Sequence, residues 1–448
     1  MIVDSVLTNA KAYLKGQIVD CSIAIEEGKI NKIGRESQMP QADEKTDLHN
    51  LLVLPGLIDE HVHLRDEGRA YKENFASGTA AAAAGGFTTV LDMPNNDPVT
   101  MSVGRLQNRM ELAQRRLLVN VGFYSEFPKT TSEIKEITAA GAVAFKLFMG
   151  NQTGGLDVND DVAIKEAFKA IAEAEKLVAV HAEDQAMLTN NEAKLKQAKK
   201  SGPSDYLRAH TEAAEFQTVN RLLKITHELK VKLHFCHIST ANALSAIVEA
   251  KKEGRAVTCE VTPNHLMLTS DEIGRFGGLA IIAPPLRDRG QVDALWKGVE
   301  DGSVDTLGSD HAPHTLEEKL ASSIWEVKAG IPGLEVTLPL MLTMVRKNKL
   351  TINQFVTLLA EKPAELYGLV ERGKIQAGKN ADLTIVDYNR QFKIDAAKFE
   401  SKAKFSPYNG WEVNGKVTKT IVNGIVVYED GEVVAKGGIG AILRGGDV

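Results

Sequence analysis

The fold is decided by LPGLIDEHVHL, residues 54–64, an apolar run that ends in two histidines separated by one residue. Seven more short runs rich in Val, Ile, Phe and Thr follow it, and the segments between them are long enough for helices. The seven runs are FTTVLDMPN (87–95), LLVNVGFYSE (117–126), AVAFKLFMG (142–150), LVAVHAED (177–184), KLHFCHIS (232–239), AVTCEVTP (256–263) and DTLGSDHAP (305–313). Eight strands with intervening helices predict a (β/α)8 barrel of the TIM type. A doubly wound open sheet is the alternative, but the chain has no Gly-rich dinucleotide fingerprint to support it.

The two ends of the chain have a different texture. Residues 1–34 alternate apolar and polar side chains between turn signals, and the same alternation returns in residues 381–389 and 420–434. This pattern is typical of short, half-buried strands. Asn423-Gly424 is a strong signal for a tight hairpin turn.

These patterns predict a small second domain. We expect a composite β-sandwich domain made of residues 1–53 and 371–448, and a barrel domain of residues 54–370. The Gly-rich end of the chain, KGGIGAILRGGDV (436–448), is expected to be a loosely held tail.

The composition is that of a globular protein. The 448 residues are 43% hydrophobic and 25% charged, which rules out a largely disordered chain, a coiled coil and a collagen-like repeat. Because 53 Lys and Arg stand against 59 Asp and Glu, the formal charge is −6, so nucleic acid and anionic membranes are poor candidates for the main partner. Three widely spaced cysteines, Cys21, Cys236 and Cys259, indicate a reducing compartment. With no signal-peptide pattern and no apolar run of about 18 residues, we predict a cytoplasmic protein without a membrane partner.

Potential metal ligands stand at the carboxyl ends of four predicted strands, the edge at which barrels of this kind carry their active sites. His61 and His63 are two apart on a strand, so both imidazoles face the same side. His181 and His237 end the fifth and sixth strands. Any one of them could be a structural histidine, but four desolvated imidazoles at one edge would be costly without a cation. Asp310, at the end of the eighth strand, could bind metal and also move protons, or it could cap the next helix.

Lys146 lies inside the apolar strand 142–150 and has two interpretations. Its ammonium group could extend to the rim of the barrel. Alternatively, burial could lower its pKa, so that the neutral amine takes up carbon dioxide and becomes a carbamate that bridges two metal ions. The sequence leaves both interpretations open.

Three further polar residues follow strands or face the same edge: Arg65, Asn95 and His314. Arg is the usual bidentate partner of a carboxylate, and Asn and His add hydrogen-bond donors. Arg65 by itself is equally compatible with a salt bridge at the rim. The other histidines considered lack this placement and are expected to be structural: His49, His210, His227 and His234.

Several motifs together resemble the dihydroorotases of the amidohydrolase superfamily. The motifs are HVHLRDEG (61–68), FASGTAAAAAGGFTTVLDMPNNDP (75–98), SDHAPHTLEEK (309–319), GIPGLEVTLPLML (330–342) and GKIQAGKNADLTIVDYN (373–389). The His-x-His element is shared by the whole superfamily, whereas Asp-His-Ala-Pro-His after the eighth strand is more particular to dihydroorotases. The resemblance covers nearly the whole chain.

This resemblance implies one group of residues that holds metal and one that holds substrate. The metal group is His61, His63 and Asp310 on one zinc ion, His181 and His237 on a second, and a carboxylated Lys146 that bridges both ions together with a hydroxide. The substrate group is Arg65, Asn95 and His314 for a carboxylate, and the backbone of Ala329 and Gly330 for the ring.

Two positions depart from the family pattern. Asp66-Glu67 stands where the family usually has Glu-Pro, and Ala283 stands where many members have an Asn that contacts the substrate. The second departure removes one ring contact but leaves the metal group intact. The loop 151–157, NQTGGLD, carries two glycines and is expected to act as a lid.

The implied activity is the reversible, zinc-dependent conversion of N-carbamoyl-L-aspartate to L-dihydroorotate in de novo pyrimidine biosynthesis. Two alternatives stay open: a hydantoinase or allantoinase, which would bind a ring without the carboxylate, and a non-catalytic scaffold with the same fold. The expected partner is the small-molecule substrate, and a homodimer is expected.

Overall fold

The computed structural model describes residues 2–445 and divides their strands between two sheets. In chain order the strands are β1 (Ile2–Leu14), β2 (Gln17–Glu26), β3 (Lys29–Gly34), β4 (Gln41–Asp47), β5 (Leu52–Pro55), β6 (Leu57–Val62), β7 (Phe87–Asp92), β8 (Asn120–Glu126), β9 (Ala144–Phe148), β10 (Leu177–His181), β11 (Lys232–Phe235), β12 (Val257–Val261), β13 (Thr306–Leu307), β14 (Leu383–Lys393), β15 (Glu412–Val422), β16 (Ile425–Glu429), β17 (Glu432–Val433) and β18 (Ile442–Leu443). The α-helices are α1 (Phe75–Ala84), α2 (Val103–Ala113), α3 (Glu133–Ala139), α4 (Asp161–Glu173), α5 (Gln185–Gln197), α6 (Pro203–Ala209), α7 (Glu212–Ile225), α8 (Ala241–Lys252), α9 (Pro263–Met267), α10 (Asp271–Phe276), α11 (Arg289–Glu300), α12 (Leu316–Lys319), α13 (Leu334–Arg346), α14 (Ile352–Val356) and α15 (Lys362–Leu366).

The eight predicted barrel strands are all present, and they neighbour one another in chain order from β6 to β13. Every pairing along this path is parallel. The first and last strands approach each other just beyond their ends, where the His63 amide donates to the His311 carbonyl at 2.9 Å. The sheet therefore forms a nearly closed barrel, and the predicted fold class is confirmed.

The helices cover the barrel through apolar faces, as α4 shows. Asp160 precedes this helix and accepts hydrogen bonds from the amides of Val162 and Ala163, which caps its first turn. Its buried face includes Phe168 and Ile171, and burial of such a side chain contributes about 1.5–3 kcal/mol. None of the helices between residues 2 and 445 combines the length and the apolar character that a membrane crossing requires.

The second sheet joins the two ends of the chain. Its strands run in the order β17-β16-β15-β14-β5-β1-β2-β3, with β4 beside β1. The junction is the antiparallel pair of β14 and β5, in which Leu383 faces Pro55. Asn423 and Gly424 have φ values of 49° and 81° and form the hairpin turn expected between β15 and β16. A composite β-domain is therefore present, while the exact domain boundaries remain a prediction.

The prediction of a loosely held tail was wrong for residues 437–445. Strand β18 pairs in parallel with β8, and the Val121 amide donates to the Ala441 carbonyl at 2.9 Å. The glycines that suggested flexibility instead permit close approach, because a Cβ at Gly440 would collide with the carbonyl of Val119. Residues 446–448 and Met1 lie outside the described residues.

Candidate active site

The carboxyl ends of the barrel strands open on one cavity of about 370 Å³. Ten of the eleven predicted site residues line it: His61, His63, Arg65, Asn95, His181, His237, Asp310, His314, Ala329 and Gly330. The eleventh, Lys146, is buried in β9. The structure thus brings the predicted residues together, at the edge of the barrel where the sequence placed them.

Three of these residues stand just beyond strand ends in a backbone conformation that side chains seldom adopt. Arg65, His237 and Asp310 have φ values of 62°, 37° and 45°. A non-glycine residue in this region costs on the order of 1–3 kcal/mol, so the surrounding structure must hold it there. For Asp310 the support includes its neighbour Ser309, whose amide donates to Asp59 on β6 at 3.1 Å.

The first cluster of metal-ligand atoms consists of His61, His63 and Asp310. The Nε2 atoms of the two histidines lie 3.5 and 3.2 Å from Oδ1 of Asp310. On their other sides, Nδ1 of His61 lies 2.9 Å from Oε1 of Glu260, and Nδ1 of His63 lies 2.7 Å from Oδ1 of Asn95. Because these oxygens accept hydrogen bonds, each Nδ1 carries a proton and the two Nε2 atoms face Asp310. Burial opposes a charge on His61, but Glu260 and Asp310 raise the pKa of His61 well above its usual value, so positive charge is favoured at this point. A metal ion that replaces the proton on Nε2 would supply the same charge.

The second cluster consists of His181 and His237. Nδ1 of His181 lies 3.2 Å from Nε2 of His237, and the ring of His237 lies 5.2 Å from that of His61, centroid to centroid. Burial lowers the pKa of His237 well below its usual value, so its imidazole is neutral, the form that binds metal. Within the described residues, Nδ1 of His237 has no hydrogen-bond partner. Nδ1 of His181 and Nε2 of His237 are therefore close enough to bind one ion beside the first cluster.

Lys146 lies below both clusters and is fully buried. Its Nζ donates to Sγ of Cys236 at 2.9 Å, and the structure records no ion pair for it among residues 2–445. The side chain does not extend to the rim, so that interpretation is excluded. The full donor set, four imidazoles and a carboxylate around a buried amine, fits Zn²⁺ or a similar divalent ion.

The cavity also contains a buried cationic side chain, Arg65. Arg65 is buried, its Nε has no hydrogen-bond partner and the guanidinium makes no ion pair within residues 2–445. Burial, with the charge of Arg69 nearby, lowers the pKa of Arg65 to about 10, so it remains charged at neutral pH. Its Nη2 lies 3.3 Å from Nε2 of His314. Burial and the charges of Arg65 and Lys72 hold the pKa of His314 far below its usual value, so this imidazole is neutral.

The predicted lid has ordered contacts in this structure. Asn151 and Thr153 line the cavity, and the Thr153 hydroxyl donates to Oε2 of Glu126 at 2.9 Å. The Gly155 amide also donates to the carbonyl of Phe127 at 2.9 Å. The loop therefore lies against the end of β8 and forms part of the cavity wall.

Sequence reasoning missed several residues of the site. Glu260 holds His61 in place, and a signal existed, because this carboxylate ends an apolar strand. His210 was expected to be structural but lines the cavity, with Nδ1 2.9 Å from Oε1 of Glu183. Lys72 approaches His314 from the loop between β6 and α1, where no strand periodicity marks it.

The chain is similar in sequence and in structure to known amide-hydrolysing enzymes. A family model described as the amidohydrolase family matches residues 52–427. A dihydroorotase from Methanothermobacter thermautotrophicus is 37% identical over 419 residues, which cover 93% of this chain and 93% of that protein. An L-hydantoinase from Paenarthrobacter aurescens is 34% identical over 450 residues, 98% of each chain. The solved structure of L-hydantoinase (dihydropyrimidinase) from Arthrobacter aurescens matches with a TM-score of 0.95 and 32% identity, over 99% of this chain and 100% of that one.

Proposed function

The chain belongs to the amidohydrolase family, and from that premise we propose that it is a metal-dependent dihydroorotase. The family match and the relatives make it a hydrolase that acts on cyclic amides. The narrower proposal is the reversible conversion of N-carbamoyl-L-aspartate to L-dihydroorotate in pyrimidine biosynthesis. We further propose zinc as the metal, and a cytoplasmic homodimer as the working form.

The observation that carries the proposal is the buried, unpaired Arg65. A guanidinium taken out of water without a partner is costly, and a carboxylate is its best bidentate partner. Dihydroorotate and carbamoyl aspartate both carry a carboxylate that takes no part in the reaction and is free to bind Arg65, whereas simple hydantoins have none. Arg65, with His314 and Asn95 beside it, supports a substrate of this charge.

Two groups of side chains at the carboxyl end of the barrel have the atoms to hold two divalent ions. His61, His63 and Asp310 would hold one divalent ion, His181 and His237 a second, and Lys146, carboxylated on Nζ, would lie between them. When bound, such ions lower the pKa of water and polarise a carbonyl group, which supplies the nucleophile and the oxyanion stabilisation that amide hydrolysis needs.

The remaining steps fall to side chains of the chain itself. In the hydrolytic direction, Asp310 takes a proton from the attacking water and passes it to the ring nitrogen as the amide C–N bond breaks. In the cyclisation direction, Asp310 takes the proton from the ureido nitrogen as that bond forms and returns it to the hydroxyl oxygen of the reacting carboxyl group, which leaves as water when its C–O bond breaks. Arg65, His314 and Asn95 hold the carboxylate, so that the carbonyl carbon stays in position during both steps.

One observation favours a second candidate, hydrolysis of substituted hydantoins. Two aromatic side chains also line the cavity: Tyr206, whose ring stacks on His210 at 4.2 Å between centroids, and Trp325. An aromatic wall of this kind suits an apolar substituent on a ring. The strong structural similarity to an L-hydantoinase agrees with this candidate.

An activity panel separates the two candidates. Wild type and Arg65→Gln are each given carbamoyl aspartate, dihydroorotate, allantoin and a 5-substituted hydantoin. We expect wild type to turn over the two anionic compounds, and Arg65→Gln to lose that activity mainly through a higher KM. Turnover confined to the neutral rings and unchanged in the variant would favour the hydantoinase, and no turnover of any compound by metal-loaded protein would favour the scaffold.

A further inference from the structure

His314 has four polar neighbours that together determine where its proton lies. Nδ1 faces Nζ of Lys72 at 3.1 Å and Oε2 of Glu318 at 3.3 Å. Nε2 faces the carbonyl oxygen of Ala329 at 3.0 Å and Nη2 of Arg65 at 3.3 Å. Each ring nitrogen thus has one neighbour that can only donate and one that can only accept.

Only two neutral tautomers exist, and the distances discriminate between them. With the proton on Nε2, the imidazole donates to Ala329 and accepts from Lys72, which makes the two shorter contacts hydrogen bonds. With the proton on Nδ1, it would donate to Glu318 and accept from Arg65, and the two shorter contacts would be repulsive. The doubly protonated ring would face two cationic side chains, which makes it costly. The Nε2–H tautomer therefore fits the structure best.

An ion pair with Glu318 holds Lys72 next to Nδ1 of His314, where it can determine the tautomer. Burial lowers the pKa of Lys72, and the ion pair between its Nζ and Oε1 of Glu318 at 2.7 Å acts in the opposite direction and favours the ammonium form. Glu318 is fixed in turn, because Oε2 accepts from the Thr315 amide at 3.1 Å and the Thr315 hydroxyl accepts from the Glu318 amide at 3.2 Å. An ammonium group can only donate, so it keeps Nδ1 of His314 free of a proton.

We propose that Lys72 is a positioning residue that holds His314 in the Nε2–H tautomer. This N–H donates to the Ala329 carbonyl in the structure, and a bound anion beside Arg65 would share it with that carbonyl. The identity of the anion as a substrate carboxylate rests on the proposed function, but the tautomer does not. Without Lys72, Glu318 is the remaining polar neighbour of Nδ1 and draws the proton there. Nε2 would then turn a lone pair toward the bound carboxylate and repel it.

The direct test is the tautomer itself. In protein labelled with ¹⁵N at histidine, the chemical shifts of the two ring nitrogens distinguish the protonated nitrogen from the unprotonated one, and the His314 signals are those that vanish in His314→Gln. We expect Nε2–H in wild type and Lys72→Arg, and Nδ1–H in Lys72→Met. A proton on Nδ1 in wild type, or on Nε2 in Lys72→Met, would overturn the proposal. A proton on Nδ1 in wild type overturns the proposal even if a variant fails to fold.

Kinetics give the functional side of the test. A lost hydrogen bond to a charged group predicts a KM for carbamoyl aspartate that rises about 10- to 100-fold in Lys72→Met, with kcat changed by less than about twofold, and recovery in Lys72→Arg. The control is Lys176→Met, which removes a half-buried lysine whose Nζ donates to the Gly445 carbonyl at 2.7 Å, far from the cavity. An equal KM change in the control, or a fall in kcat alone, would contradict the role.

The proposed function and the proposed role of Lys72 can be contradicted separately. If the tautomer shifts as expected but wild type converts no carbamoyl aspartate, the proposed function is wrong and the role of Lys72 stands. If wild type is active and the tautomer is insensitive to Lys72, only the present inference is wrong.

Discussion

Replacement of Glu260 by Gln is expected to weaken metal binding without unfolding the barrel. Glu260 is fully buried, and its Oε1 accepts from Nδ1 of His61 at 2.9 Å and from the His237 amide at 3.0 Å. The carboxylate thus fixes a proposed ligand of each metal, and raises the basicity of His61 in particular. Glutamine has nearly the same shape and keeps one acceptor oxygen, but it loses the charge and presents an amide N–H₂ to its surroundings.

The expected change in zinc affinity follows from the effect of carboxylates that hydrogen-bond to metal-binding histidines. Loss of a carboxylate behind a metal-bound histidine lowers metal affinity about 10- to 100-fold, which corresponds to about 1.4–2.8 kcal/mol. The assay is competition between the protein and a chromophoric chelator for Zn²⁺, at fixed pH, for wild type and Glu260→Gln. Activity at limiting zinc should fall in parallel and recover when zinc is in excess.

A matched control is Glu215→Gln. Glu215 is buried like Glu260, but it accepts hydrogen bonds from Ser239 and Thr240 and touches none of the four proposed histidine ligands. We expect its zinc affinity to match that of wild type. Equal affinity in wild type and Glu260→Gln, or an equal loss in the control, would refute the assignment of His61 as a ligand oriented by Glu260.

Three further predictions concern stability. Removal of residues 437–448 should destabilise the chain by at least about 4 kcal/mol, because residues 437–445 make four backbone hydrogen bonds outside the β18–β8 ladder, at about 1 kcal/mol each. Carbamoyl-aspartate turnover at low temperature should be retained, and an unchanged melting temperature would show that the tail does not dock. Phe168→Ala should lower the free energy of unfolding in urea by about 3–5 kcal/mol, because it leaves a cavity between α4 and the barrel. A loss below about 1 kcal/mol would contradict that packing. Burial raises the pKa of Glu126 to about 8, above the unfolded value of 4.5, so the folded chain binds one more proton than the unfolded chain between these pH values, and the free energy of unfolding should fall as the pH rises from 4.5 through 8. Glu126→Gln should flatten this decline, and a variant with the wild-type slope of melting temperature against pH would contradict the prediction.

The barrel was predictable because its physical signals are local. A strand buried on both faces, such as β10 (LVAVH), is a continuous apolar run in the sequence, and the proposed ligand at its end, His181, interrupts that run with a polar side chain. His61, His181 and Asp310 were found in this way. The composite sheet was predictable for a similar reason, since hairpin signals such as Asn423-Gly424 mark short strands wherever they occur.

The residues that were missed depend on contacts between distant parts of the chain. Lys72 and His314 are 242 positions apart, and nothing in the sequence around Lys72 distinguishes it from a solvated loop lysine. His210 follows a short helix rather than a strand, so the rule that located the other histidines did not apply to it. The tail was misjudged because glycine permits both flexibility and close backbone approach, and only the neighbouring strand β8 decides between them.

Zinc content and carbamoyl-aspartate cyclisation, measured on wild type and Lys146→Ala with added bicarbonate, test both the proposed activity and the proposed metal centre. We expect two equivalents of zinc and strong cyclisation in wild type, with both reduced in the variant, because the carbamate on Lys146 is proposed to join the two ions. Wild-type protein that binds two equivalents of zinc and cyclises no carbamoyl aspartate would contradict the proposed activity. A Lys146→Ala variant with undiminished zinc content and turnover would contradict the bridged metal centre.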